Sequence, residues 1–173
     1  MREFDALAGY PEPKQPRVVN SKLRTIHHRI VASERGKDLY DGDRNYGYGG
    51  FHYDKRWIPI AQNMCKEYGL NNQSMVLQIG CDKGFLLHDF QQAQPGIKVC
   101  GTEVSDYAIE HAMDSVKPRI QKTSFIELPF NDKEFDFVIA IGPVYTLNLG
   151  DAIRCLKEIQ RVGKGKSFIT LGS

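Results

Sequence analysis

The stretch VLQIGCDKG, Val76 to Gly84, decides how this chain folds. An apolar run through Val76, Leu77 and Ile79 stops at Gly80, and FLLHDF, Phe85 to Phe90, then takes up the apolar spacing of a helix. That order is a strand, a glycine turn and a helix start. Glycine at 80 and 84 lets the backbone turn tightly and lets a ligand approach without meeting a Cβ. The spacing G-x-x-x-G differs from the dinucleotide pattern G-x-G-x-x-G, so a pyrophosphate cradle is not predicted.

Outward from this stretch, strand signals recur at 75–79, 97–102, 120–124, 135–141 and 166–171, with helical patterns at 84–93, 105–115 and 149–162. Strands alternating with helices predict an α/β fold: a doubly wound parallel sheet with right-handed crossovers and helices on both faces. Ligands of such sheets sit at the carboxyl ends of the strands, where the strand order reverses. Glu103, closing the second strand signal, is placed there to accept the two hydroxyls of a ribose; a solvent-facing acid is the plain alternative. Ser105 is a good N-cap for the helix that follows, with Asp106 favourable in its first turn.

The whole chain sets bounds. Its 173 residues suffice for one domain with a substantial core, and a hydrophobic fraction of 41% with 10% aromatics is globular. No run approaches the roughly 18 to 20 apolar residues of a membrane span. The N-terminus lacks a secretory apolar core and carries acids that argue against a transit peptide, so a cytoplasmic protein is expected. Cysteines at 65, 81, 100 and 155 match neither a zinc knuckle nor a dense disulfide framework. Reduced, buried thiols and no metal are expected. A net charge of +2, from 23 bases and 21 acids, does not announce a nucleic-acid protein. Residues 14–37 nevertheless hold Lys14, Arg17, Lys22, Arg24, Arg29, Arg35 and Lys37 against Glu34 alone. Either an anionic substrate or partner, or a solvated helix face, accounts for that excess.

Before the sheet the chain has another character. Residues 1–17, with prolines and no apolar periodicity, read as an extended lead-in. From Val18 to Lys37 the spacing of Leu23, Ile26 and Ile30 predicts an amphipathic helix with a basic outer face. A helix from Trp57 to Tyr68 closes at Gly69. The division falls at 57: residues 1–57 are an N-terminal extension, 58–173 the ligand-binding domain. Glycines at 47, 49 and 50 give the segment from Tyr46 to Trp57 mobility, while Tyr46, Tyr48, Phe51, Tyr53 and Trp57 give it apolar area. It is a candidate cap that shuts water from the site; alternatively the aromatics dock the N-terminal helix.

Four stretches, VLQIGCDKG, VCGTEVSDYAIEHA, ELPFNDKEFDFVIAIG and LKEIQRVGKGKSFIT, resemble in order and spacing the class I S-adenosylmethionine-dependent methyltransferases over about residues 74–171. With DRNYGYGGFHYDKRW at 43–57 the chain also resembles a subgroup of small bacterial methyltransferases associated with sugar and nucleotide-sugar modification. The resemblance implies a Rossmann-like sheet and S-adenosylmethionine as cofactor. Gly80, Cys81 and Gly84 would line its methionine part, Glu103 would hold the ribose, and Val104 and Phe125 would cover the adenine. Ser124 stands where the family often has an acid for the adenine amino group. Ile141, Gly142 and Pro143 would pass beneath methionine and ribose, Tyr145 would face the substrate, and the ring of Tyr48 would suit the sulfonium.

Two departures stand in the first motif. Gln78 replaces an acid that commonly holds the cofactor's ammonium group, and Asp82 replaces a glycine. The expectation is that the negative charge has moved from the strand end to the turn, where Asp tolerates positive φ; drift in a weakened site is the alternative.

The implied activity is methyl transfer to a small polar acceptor, with a sugar or nucleotide sugar as the candidate. The protein then orients, excludes water and deprotonates the acceptor. His52, Asp54 and Tyr145 are the candidate bases, and Arg44 and Arg56 could hold a substrate carboxylate or phosphate. A degenerate, methyltransferase-like scaffold is the second reading, favoured by Gln78, Asp82 and Ser124; a nicotinamide oxidoreductase is disfavoured. The chain ends just after the fifth strand signal, whereas family sheets carry a further β-hairpin. The expected fold lacks that hairpin: either the chain is a truncated product, or the exposed edge is covered by a partner or by a second copy.

Overall fold

The computed structural model describes residues 4–11 and 24–171. Its sheet consists of β1 (Met75–Ile79), β2 (Lys98–Glu103), β3 (Ile120–Lys122), β4 (Phe137–Ala140) and β5 (Ser167–Ile169) in the order β3-β2-β1-β4-β5. Every pairing is parallel. The order reverses between β1 and β4, which opens a crevice at their carboxyl ends.

Side chains alternate across the strands, and both faces are buried. Val76, Phe137 and Ile139 pack with Ile60, Met64, Leu86 and Phe90 from α3 (Ile58–Tyr68) and α4 (Phe85–Ala93). Leu77, Ile79, Val138 and Ala140 pack on the other face with Cys155, Ile159 and Val162 of α7 (Leu149–Val162). The doubly wound prediction therefore holds in layers as well as in order. Pro59 in the first turn of α3 and left-handed Gly69 at its end set the bounds of that helix. All four cysteines are unpaired, and three of them are buried.

A clasp ties α7 to the loop before β4. Arg161 forks onto Glu158 at 2.7 and 2.8 Å and donates to the carbonyls of Leu128 and Phe130, while Glu158 accepts the Leu128 amide. The EIQRV and LPF stretches are thus the two halves of one joint.

Two helical expectations need correction. The predicted helix from Val18 to Lys37 is not one element: its start, with Leu23, lies outside the described residues, and the remainder is α1 (Ile26–Ser33) and α2 (Lys37–Asp41). Arg35 at φ 52 and the extended Gly36 break the helical path between them. Ile26 and Ile30 are 73% and 54% exposed, so the apolar stripe of α1 faces solvent rather than the domain. The helix expected over 105–115 is α5 (Asp106–Glu110), because the Met113 amide leaves the helical ladder to donate to the Lys83 carbonyl. No helix among the described residues is long and apolar enough to cross a membrane.

Candidate active site

A cleft of about 1010 Å³ lies at the carboxyl ends of the strands. One wall comes from β2 and the later loops, with Val104, Ser124, Phe125 and Tyr145; the other comes from the N-terminal segment, with Arg35, Tyr48, His52 and Trp57.

The glycine turn lies beneath it. Gly80 adopts φ 66, and a Cβ there would come within 2.5 Å of Pro143, the first residue of α6 (Pro143–Thr146). At Gly84 a Cβ would meet Val116 at 2.6 Å, so this glycine allows the start of α4 to close on the chain before β3. Cys81 is buried with its sulfur against Gly101, which leaves its backbone rather than its thiol toward the turn. Burial and the charges of Glu103 and Asp82 raise that thiol well above its ordinary range. The side-chain oxygen of Gln78 is buried with no hydrogen-bond partner.

Glu103 is fully buried. Its Oε1 accepts the amides of Val104 and Ser105 at 2.7 and 3.0 Å, and its Oε2 accepts the amide of Asp82 at 3.0 Å. The Arg35 Nε stands 4.0 Å from Oε1, and the Arg35 guanidinium lies 5.5 Å from the centroid of the Phe125 ring. Arg35 therefore occupies the space between the carboxylate and the ring.

Asp82, which departs from the expected turn, and its neighbour Lys83 both grip the N-terminal segment. Asp82, at φ 50, accepts the Tyr40 hydroxyl at 2.8 Å and the Tyr48 hydroxyl at 3.4 Å. Burial, then the neighbouring Glu103 charge, pushes its carboxyl up to about 6, against the pull of Tyr40, Arg35 and Tyr48. Lys83 donates to Asp41 at 2.6 Å and to the Phe51 carbonyl at 3.0 Å, and Tyr107 also donates to Asp41. Burial works against ionising Asp41, yet Lys83, the Phe51 amide and Tyr107 draw it down to about 2. Farther along the segment, Tyr53 donates to the buried Asp89 of α4.

Of the candidate bases, His52 and Tyr145 are exposed and line the cleft. Asp54 does not line it; Arg56 grips both its oxygens at 2.6 to 2.9 Å and holds its carboxyl below the usual range. Tyr48, Val104, Ser124 and Phe125 line the cleft, whereas Gln78, Gly80, Cys81, Asp82, Gly84, Glu103 and Ile141 are not among its lining residues. Sequence reasoning did not single out Tyr40, Asp41 or Lys83. The one signal for them was Lys83 itself, a long charged side chain between Asp82 and Gly84 in a turn built for close approach.

Residues 76–166 match the family model described as a methyltransferase domain. Over 149 residues the chain is 28% identical to cycloartenol-C-24-methyltransferase of Arabidopsis thaliana, an alignment that covers 76% of this chain and 44% of that protein. Cycloartenol-C-24-methyltransferase 1 of Oryza sativa subsp. japonica is likewise 28% identical, with 76% and 42% covered. The chain thus spans less than half the length of the curated relatives it matches. Among solved structures, a protein of Methanococcus maripaludis described as an S-adenosyl-L-methionine-dependent methyltransferase superposes with a TM-score of 0.56 at 18% identity, over 90% of this chain and 67% of that one. The [4+2]-cyclase SpnF does so with a TM-score of 0.53 at 21% identity, over 62% and 41%. At these identities the structural likeness is one of fold.

Proposed function

The chain belongs to the methyltransferase-domain family, and from that premise we propose that it moves a methyl group from S-adenosylmethionine to a small polar acceptor, with a sugar or nucleotide sugar as the class. The observation that carries this reading is the cleft, where Val104, Ser124 and Phe125 share one enclosure with His52 and Tyr145.

S-adenosylmethionine is the cofactor, and the residues present suit it. Gln78 offers a buried oxygen that lacks a donor, suited to an ammonium group. Glu103 Oε2 accepts a single amide and retains capacity for a ribose hydroxyl. Val104 and Phe125 would cover the adenine, Ser124 would accept from its amino group, and Asp82 would supply the negative charge that Gln78 lacks. Gly80, Cys81, Gly84 and Ile141 would line the methionine side through backbone and small surfaces. When bound, the cofactor supplies an electrophilic methyl on a sulfonium. His52 or Tyr145 takes the acceptor proton, and the segment bearing Tyr48 and Phe51 excludes water.

A second reading, a scaffold without catalysis of its own, is favoured by Arg35 standing in the space that ribose and adenine need. Calorimetry with S-adenosylhomocysteine separates the two. Saturable binding, together with methyl transfer from S-adenosylmethionine to a sugar or nucleotide-sugar acceptor in a separate assay, supports the enzyme; no heat leaves the scaffold.

A further inference from the structure

We propose that the acceptor is an anion carrying a phosphate or carboxylate, held by Arg24, Arg29 and Arg44 on the N-terminal wall of the cleft. The inference rests on the methyltransferase reading and adds the charge of the substrate to it.

Among the described residues, five arginines line the cleft, at 24, 29, 35, 44 and 56, and no Asp or Glu does. Two of the five are committed. Arg56 is gripped by Asp54, and Arg35 is drawn toward Glu103. Arg44 donates one N–H to the Gly47 carbonyl, a neutral acceptor that leaves its charge uncompensated. Arg24 and Arg29 have neither an ion-pair nor a hydrogen-bonding side-chain partner among the described residues. Three positive charges therefore share one concavity.

Like charges gathered in a concave wall repel one another, and the low-dielectric surroundings strengthen the repulsion. Among the described residues no carboxylate lines the cleft to offset them. A guanidinium presents a planar fork of donors that matches phosphate and carboxylate oxygens two at a time, so the vacant partner has that chemistry. Tyr48 and Trp57 on the same wall give flat apolar surface for a sugar face or a base. A neutral hydrocarbon acceptor would strip water from these guanidiniums and return nothing, so the specificity named for the sterol methyltransferase relatives does not suit this wall.

The cofactor's own carboxylate is an anion too, so the test seats it first. With the full chain saturated by S-adenosylhomocysteine, inorganic pyrophosphate and malonate are titrated by calorimetry against wild type and an Arg24→Gln/Arg29→Gln variant. Both arginines are on exposed positions, so the variant is expected to keep its melting temperature. Expected is binding of at least one probe to wild type and a tenfold or greater loss in the variant, with S-adenosylhomocysteine affinity unchanged; the preferred probe tells phosphate from carboxylate. Binding of neither probe overturns the proposal. So does equal binding by both proteins, or a loss confined to S-adenosylhomocysteine, which would assign the arginines to the cofactor. If S-adenosylhomocysteine itself does not bind wild type, the methyltransferase reading fails on its own, and probe binding to the unliganded protein still decides the anion site.

Discussion

Tyr40 donates its hydroxyl to Asp82 at 2.8 Å, across 42 positions of chain. The residues that follow each of these partners, Asp41 and Lys83, form an ion pair at 2.6 Å. Two successive residues of the glycine turn thus hold two successive residues of the N-terminal segment. A glycine at 82 could make neither tyrosine contact, so the turn exchanges bare backbone for a hold on the segment that walls the cleft.

Lys83→Ala tests that hold. The pair is largely buried, with side chains 6% and 18% exposed, and removing one partner of such a pair strands the other. Asp41 keeps Tyr107 and the Phe51 amide, so the expected loss is about 3 kcal/mol, at the low end for a broken buried pair. Urea denaturation measures it, and hydrogen exchange should rise across residues 37–51 while the strands stay protected. Unchanged exchange there would mean that the segment is held by its aromatics alone.

Asp82 gives the fold a pH signature. Its carboxyl is raised from 3.8 to about 6 in the folded chain, so between these values the folded state binds more proton than the unfolded one. Its contribution is fully present below pH 4 and is lost as pH rises through 6. Relative to Asp82→Asn, wild type should lose on the order of 2 kcal/mol between pH 4 and 7. Asp41, drawn down to about 2, acts in the opposite sense, losing its contribution only as pH falls from 3.8 toward 2. Parallel denaturation series of the two proteins check the difference; coincident slopes would place Asp82 in water.

Arg35→Ala addresses the space between Glu103 and Phe125. A ribose reaching Glu103 must displace the guanidinium, forfeiting its partial ion pair at 4.0 Å and its contact with the ring. Removing the side chain spares the ligand that cost. S-adenosylhomocysteine should bind roughly five-fold more tightly, equivalent to about 1 kcal/mol, although the unliganded protein becomes less stable. Weaker binding would make Arg35 a contact for the ligand instead of an obstacle.

How far the sequence could be read depended on where each contact lies. β1 and β4 were legible because parallel strands buried on both faces read as continuous apolar runs, and α7 because Cys155, Ile159 and Val162 recur on one stripe. The same periodicity misled at Ile26 and Ile30, since spacing tells which residues share a face but not whether anything covers it. Glu103 was legible by its position at a strand end, but its three amide donors were not, because they depend on the path of two loops. Tyr40, Asp41 and Lys83 form no local pattern; their side-chain partners across the turn lie dozens of residues away.

The proton acceptor is the last question that mutation can answer. His52 and Tyr145 reach the cleft from opposite walls, and Asp54 is tied to Arg56 outside its lining. A carboxylate held down by a bidentate arginine is a poor base, so Asp54→Asn should leave kcat within about threefold, while loss of a true general base lowers it by about 10² to 10⁴. His52→Ala and Tyr145→Phe are therefore the informative pair, each read in single-turnover methyl transfer with S-adenosylhomocysteine affinity as the control for binding. One of them should fall by at least about 10² with that affinity unchanged; equal, small losses in both would return the proton to the acceptor or to solvent, and leave positioning as the whole of the protein's contribution.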